Sequence, residues 1–360
     1  MALKVGMLTS GGDAQGLNST MRGVSRALWN HDPDTRILGF LNGYHGLMYA
    51  NYRHMQDYDF SGILTLGGTI LGTSRQSFKI VNEPLYDNQP ERVTRLEAMI
   101  QTYHDLSLDA LVILGGGGTQ KTANLLSLRG CNIIHLPKTI DNDLSGTDLT
   151  FGFQSAVNIA TAVIDGIHTT ATSHGRVFIV ELMGNKVGWL TLYAGVASGA
   201  DVILIPEIPY NPIKVFQALQ TREKEKKRFS IIAIAEGAKS IDEVDMDEDE
   251  IRAHRGNTHS VAYHLQDQLD ELMIQEIRVC VPGHFQRGGT PSAFDRVLTT
   301  RLGVEAANAV IEGDFGKMIG IAGQKTVRVP LDEVAGKTKR VPLDDEVIVA
   351  ARQMGIFFGD

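Results

Sequence analysis

The sequence predicts an α/β protein of two domains, each a mostly parallel sheet flanked by helices. Three observations carry this expectation. Short apolar runs alternate with helix-length amphipathic stretches almost throughout, the pattern of parallel strands joined by crossover helices. The chain has 360 residues, more than one ordinary core organises. The apolar runs also end in polar, glycine-punctuated turns, where open α/β sheets gather their ligands.

Strands are expected over residues 4–10, 36–41, 110–115, 132–137, 176–183, 202–206, 230–235 and 277–282. Helices are expected over 17–30, 91–104, 119–129, 155–171, 188–198, 211–227, 258–273 and 292–312. In the segment 155–171, Ala156, Ile159, Ala160, Val163, Ile164 and Ile167 fall on one stripe at the helical period. Residues 221–228 are basic, and 242–250 are acidic with almost no apolar content. They read as a solvated helix end and an exposed loop. No repeat of solenoid length and no low-complexity tail is evident.

Composition narrows the function classes. A hydrophobic share of 43% with 21% charged residues is ordinary for a soluble globular chain. The net charge of −8 argues against general nucleic-acid binding, although it leaves room for local basic pockets. Two cysteines, Cys131 and Cys280, both in apolar runs, suit a reducing compartment better than a disulfide framework. The first residues enter a strand pattern at once, so no signal peptide is expected. No apolar run approaches the ~20 residues that span a bilayer. A soluble cytoplasmic protein without nucleic-acid or membrane partners is the expectation.

The strand ends carry the chemistry. They are Thr9-Ser10-Gly11-Gly12-Asp13, the run from Gly115 to Thr119, Lys138 to Asp143, Met183-Gly184-Asn185, Glu236-Gly237 and Gly283 to Gly289. They point to two halves of one cleft. Gly11-Gly12 and Gly115, Gly116, Gly117, Gly118 each follow a strand and precede a helix, with Thr119 expected as the second helix's N-cap. Glycine admits close approach of a phosphate, and a helix N-terminus supplies free N–H groups. Neither loop has the P-loop or the dinucleotide-binding spacing. Alone, each glycine pair is balanced between a tight turn and a phosphate loop; two at equivalent strand ends favour phosphate.

Pro137-Lys138-Thr139-Ile140-Asp141-Asn142-Asp143 puts a cation, a hydroxyl and two carboxylates at the end of an apolar run. A hydroxyl attacking phosphorus needs a carboxylate within hydrogen-bond reach and cations around the moving group. Asp141 or Asp143 suits the base, with the other organising Mg2+; an Asx-turn beside an exposed lysine is the purely structural alternative. Arg176, Arg278, His284 and Arg287 flank strands, and arginine forks match phosphate oxygens. His284 with Arg287 on one glycine-rich turn is the better case, whereas Arg176 alone reads as an ordinary surface arginine. His254, His259 and His264 lie close in sequence, but their five-residue spacing is wrong for a helical metal pair, and no metal is assigned to them.

With these pieces in order, the chain resembles the 6-phosphofructokinase family. The segments that carry the resemblance are Leu8 to Asp13, Gly67 to Arg75, Pro137 to Asp143, Ser173-His174-Gly175-Arg176, Glu181-Leu182-Met183-Gly184 and Gly283 to Gly289, in family order over nearly the whole chain. The resemblance implies the phosphofructokinase fold, with residues 1–152 plus about 286–336 binding the phosphoryl donor. Residues 153–285 plus about 337–360 would bind the sugar phosphate. It implies a homotetramer or homodimer whose active site, in the interdomain cleft, borrows arginines from a neighbouring subunit.

The resemblance also implies roles. Asp141 looks like the base for the sugar 1-hydroxyl, with Thr139 and Asp143 in support. Gly12 and Arg75 would attend the transferring group, Tyr44 the nucleotide side, and Gly115, Gly116, Gly117, Gly118, Thr119 and Lys138 the donor phosphates. Met183, Gly184, Asn185, Glu236, His284 and Arg287, with Thr139 and Asp141, resemble the sugar-phosphate pocket. Arg176 and Arg278 would reach the adjacent subunit's site. Arg22, Arg26 and Lys227 resemble effector-site positions, with His168 where another basic residue is common.

Gly118 is of the ATP-using type, while Lys138 is of the type found with pyrophosphate. That pairing resembles bacterial, actinobacterial-like enzymes that use ATP, because an aspartate at Gly118 would fill the space and repel the nucleotide's α-phosphate. Three departures stand out. Gly117 replaces an acid associated with Mg2+, Asn185 replaces an arginine, and Gln15 replaces a proline. The metal would then rest on Asp141 and Asp143. The implied activity is transfer from Mg-ATP to fructose 6-phosphate. The alternatives are a pyrophosphate-dependent phosphotransferase and, because of Gly117 and Asn185, a catalytically weak regulatory member.

Overall fold

The computed structural model describes residues 2–86, 93–256 and 260–360. In chain order the strands are β1 (Lys4–Ser10), β2 (Arg36–Phe40), β3 (Tyr52–Met55), β4 (Ala110–Gly115), β5 (Ile133–Thr139) and β6 (Phe151–Gly152). They continue with β7 (Val177–Leu182), β8 (Val202–Leu204), β9 (Ser230–Ala235), β10 (Ile277–Cys280), β11 (Lys317–Ala322) and β12 (Lys325–Pro330). The helices begin with α1 (Leu17–His31), α2 (Tyr44–Met48), α3 (Arg95–Asp105), α4 (Gly117–Leu128), α5 (Phe153–His174) and α6 (Trp189–Ala197). They end with α7 (Pro212–Lys224), α8 (Glu248–His254), α9 (Val261–Asp270), α10 (Ala293–Glu312), α11 (Leu331–Val334) and α12 (Glu346–Gln353).

The chain divides into two compact units. Met1–Ser155 with Arg287–Thr338 forms the first, and Ala156–Gln286 with Lys339–Asp360 the second.

The first unit is built on a sheet of order β12-β11-β5-β4-β1-β2-β3, with β6 beside β5. Its interior is parallel; β3 and β12 close the two edges antiparallel. Alternation along the strands divides the core between the faces. Val112 and Leu114 of β4 join the core beneath α1 and α10, whereas Leu111 and Ile113 join the core beneath α2, α3 and α4. The interior strands β1, β4 and β5 are buried on both faces, so they read as continuous apolar runs.

The second unit holds an all-parallel sheet of order β10-β7-β9-β8. One face packs on α7 and α9 through Val215, Leu219, Val261 and Leu265. Asn211 caps α7 and Pro212 occupies its first turn, which fixes where that helix starts.

Several expectations shift. The helix expected at 91–104 starts at Arg95, where Thr94 and Glu97 form a capping box; residues 91 and 92 lie outside the described residues. The helix expected from 258 starts at Val261 behind the Ser260 cap, and 258 and 259 likewise lie outside the described residues. The acidic stretch 242–250 is not simply an exposed loop. It forms a 3₁₀ turn, Ile241–Glu243, and the start of α8, and Glu243 is wholly buried against the Arg255 guanidinium. Among the described residues, no helix is long and apolar enough to cross a membrane.

Candidate active site

Register brings three of the predicted loops together in the first unit. Ser10 of β1 pairs with Gly115 of β4, and Gly115 pairs in turn with Pro137 of β5. The loops after these strands therefore leave neighbouring parallel strands at the same end, the edge where α/β sheets present ligand-binding groups.

The second glycine loop passes directly into a helix. Gly116 stands at the cap of α4 and Gly117 is its first helical residue, with no side-chain cap among the described residues. Thr119, expected as the N-cap, is instead the third helical residue and buried. Glycines that need no capping side chain carried the helix two residues further back, leaving its first-turn N–H groups unclaimed by a side chain. The glycines differ in their surroundings. A Cβ on Gly115 would stand 2.3 Å from Thr119 Cγ2, a Cβ on Gly117 would meet only Leu144 Cδ2 at 3.5 Å, and a Cβ on Gly118 would meet nothing described within 4 Å.

Gly12 lies among cations. A Cβ there would be 3.1 Å from Arg287 Nη1 and 3.5 Å from Arg75 Nη2, and Lys138 Nζ donates to the Gly12 carbonyl. Arg287 Nη1 donates to the Asp13 carbonyl at 3.1 Å. The segment Gly67 to Arg75 is tied to this loop, with Gly11 N donating to Ser74 O at 3.1 Å and Thr73 Oγ1 to Gly11 O at 2.7 Å. Burial, aided by Arg287, pushes the Lys138 ammonium down to about 8, while Asp141, Asp13 and Asp143 pull it the other way.

The 138–143 loop is held by its own polar groups. Thr139 Oγ1 accepts from Asp141 N at 3.0 Å, and Asn142 Oδ1 accepts from Thr150 N at 3.0 Å. Asn142 adopts the left-handed conformation that Asn tolerates, turning the chain between the two acids. Asp141 is buried and Asp143 half-buried. Tyr44 lies beneath α4, fully buried, with its hydroxyl donating to Thr119 O at 2.8 Å; burial raises it well above the ordinary phenol range. It thereby touches the first turn of α4.

In the second unit, Glu236 Oε1 accepts from the backbone of Gly184 (3.1 Å) and Asn185 (2.7 Å). Gln286 Oε1 accepts from Met183 N at 3.3 Å, tying the 3₁₀ turn Gly283–Arg287 to the β7 end. The unit boundary falls within this turn, His284 belonging to the second unit and Arg287 to the first. His284 is exposed. Arg176 and Arg278 stand apart from this group, both paired with Glu276. A cavity of about 1060 Å3 is lined by Glu236 and Asn185, and also by Lys186, Arg252 and Arg340. These last three escaped the sequence reading, since nothing local marks a lysine or arginine scattered over three segments.

The profile of the family described as phosphofructokinase matches residues 4–310. A protein of Spirochaeta thermophila described as ATP-dependent 6-phosphofructokinase is 49% identical, over 99% of this chain and 97% of its own. A protein of Propionibacterium freudenreichii with the same description is 43% identical, over the whole of both chains. The structure of phosphofructokinase from Saccharomyces cerevisiae superposes with a TM-score of 0.77 at 33% identity. It covers 92% of this chain, which spans less than half (45%) of that one.

Proposed function

The chain belongs to the phosphofructokinase family, and from that footing we propose that it transfers the γ-phosphoryl group of ATP to the 1-hydroxyl of fructose 6-phosphate, giving fructose 1,6-bisphosphate and ADP. The observation that carries the proposal is the alignment of the β1, β4 and β5 ends, with Gly12 among Arg75, Arg287 and Lys138 and with Asp141 on the adjoining loop.

Asp141 takes the proton of the 1-hydroxyl as its oxygen bonds to the γ-phosphorus, and the bond from that phosphorus to the bridging oxygen of ADP breaks in line. Thr139 positions Asp141 through its backbone N–H. The Gly12 backbone, Arg75 and the first-turn amides of α4 receive charge on the phosphoryl oxygens. Gly118 leaves open space at the helix start, which suits a nucleotide rather than pyrophosphate.

Asp141 and Asp143, with Asp13, all act on the Lys138 ammonium and so share one neighbourhood. These hard oxygens suit Mg2+ carried in with the nucleotide, which when bound neutralises β- and γ-phosphoryl charge. Gly117 withholds one further carboxylate.

In the second unit Met183, Gly184, Asn185 and Glu236, with His284, receive the sugar phosphate. Arg176 and Arg278 serve a neighbouring subunit of a homotetramer or homodimer. Their pairs with Glu276 are exposed, and such pairs are worth only ~0–1 kcal/mol, so release toward a phosphate costs little. The setting is cytoplasmic.

A coupled assay crossing ATP and pyrophosphate against fructose 6-phosphate tests the proposal, with turnover expected on ATP. Lys138 favours one second reading, pyrophosphate as donor, and turnover on pyrophosphate but not ATP would establish it instead. Failure with both donors would favour a regulatory subunit.

A further inference from the structure

The second unit carries a set of ligating groups that the proposed reaction does not use. Glu243 closes the Ile241–Glu243 turn, His254 ends α8, and His264 lies in α9. One ligating atom from each lies within 4.8 Å of the others. The sequence spacing rules out two histidines on one helix; here they come from successive helices, whose rings meet edge to face at 5.5 Å between centroids.

The distances suit an ion better than a hydrogen bond. His264 Nε2 is buried with no hydrogen-bond partner among the described residues, and it stands 3.9 Å from Glu243 Oε1. That gap is too wide for a hydrogen bond. Two ligands sharing one tetrahedral ion at about 2.0–2.1 Å lie about 3.3 Å apart, so groups that now stand within 4.8 Å of one another close by about 1.5 Å at most on binding. Tyr210 O accepts from Ile241 N at 2.9 Å beside this turn, and its wholly buried hydroxyl has no hydrogen-bond partner among the described residues.

Arg255 is the objection, since its fork takes Glu243 Oε1 at 2.6 Å and Oε2 at 2.8 Å. Each carboxylate oxygen has two lone pairs, so the fork orients Glu243 and leaves Oε1 a second acceptor direction. The guanidinium lowers the affinity without closing the site.

We propose that Glu243, His254 and His264 bind a divalent transition-metal ion of the zinc, cobalt or nickel class, at a site separate from that of the Mg-nucleotide. Two imidazoles select such ions over Mg2+. His254 is exposed, so a fourth position opens to solvent. The ion clips α8 to α9, and α8 supplies Ile251 and Arg252 to the cavity wall shared with Glu236.

The test uses the full chain stripped with a chelator and titrated with Co2+, followed by visible absorption, then with Zn2+ against a chromophoric chelator. Saturation by a single ion per chain is expected, with Zn2+ raising the Tm. His254→Gln, at an exposed position, should weaken binding by about tenfold or more, and His264→Gln should do the same. Absence of saturable Co2+ or Zn2+ binding overturns the proposal, as does binding unchanged in both variants. Donor specificity does not enter this readout, so failure here leaves the proposed reaction standing.

Discussion

Lys138 and Asp141 leave the same strand end and meet opposite electrostatic demands. If Asp141 is the base, Asp141→Ser should lower kcat by about 10²–10⁴ while fructose 6-phosphate still binds, measured by steady-state kinetics and calorimetry. Lys138 is held near pH 8 in the fold, well below the roughly 10.4 of a free lysine. The unfolded chain therefore binds more protons between those values, and this group's contribution to stability grows as pH rises through that window. If Lys138 faces the donor as proposed, activity runs the other way, because that cation is lost above about pH 8. We expect kcat/KM for ATP to fall on that alkaline limb, and Lys138→Met to flatten the limb while lowering the plateau. Lys138 and Asp141 stand out as candidates in the sequence because one loop holds both. Glu243 does not, since only the fold brings Arg255 to it and turns an acid in a charged run into a buried ion pair.

The start of α4 separates folding from function within four glycines. Gly118→Asp should leave the fold intact, since its Cβ enters open space, and a carboxylate in a helix's first turn adds about 0.3–1 kcal/mol. The same variant should lose ATP turnover, so Tm and kcat/KM move in opposite directions. Gly115→Ala should cost about 1–3 kcal/mol in denaturant unfolding, because Thr119 occupies the space its methyl needs. Buried parallel strands were legible as apolar runs, and β1, β4 and β9 keep the expected bounds. The strands β3 and β12 were not, because β3 is a four-residue edge strand and β12 mixes its valines with Lys325 and Arg328. Thr119 misled as a cap because the preceding glycines could enter the helix.

Across the whole molecule, neither unit is a single stretch of chain. The first is completed by a return segment from Arg287 to Thr338, and Asp295 pins that return. Asp295 is fully buried, accepting from Ser155 Oγ (2.5 Å), Ser155 N (2.8 Å) and Gly152 N (3.1 Å). Asp295→Ala strands these donors at about 1–3 kcal/mol for each one left buried and unmatched, so a large fall in the urea midpoint is expected. Two compact bodies followed from length and alternation, but the pin joining residues 140 apart left no trace in either local sequence.

The edges of the larger sheet have a consequence for association. Its parallel interior ends on one side in β12, with Lys325, Arg328 and Pro330, and on the other in β3, with Arg53 and His54. Charge and proline at an exposed strand discourage main-chain pairing with another molecule. Joining copies of this chain by extending the sheet is thereby disfavoured, which guards a concentrated enzyme against fibrillar growth.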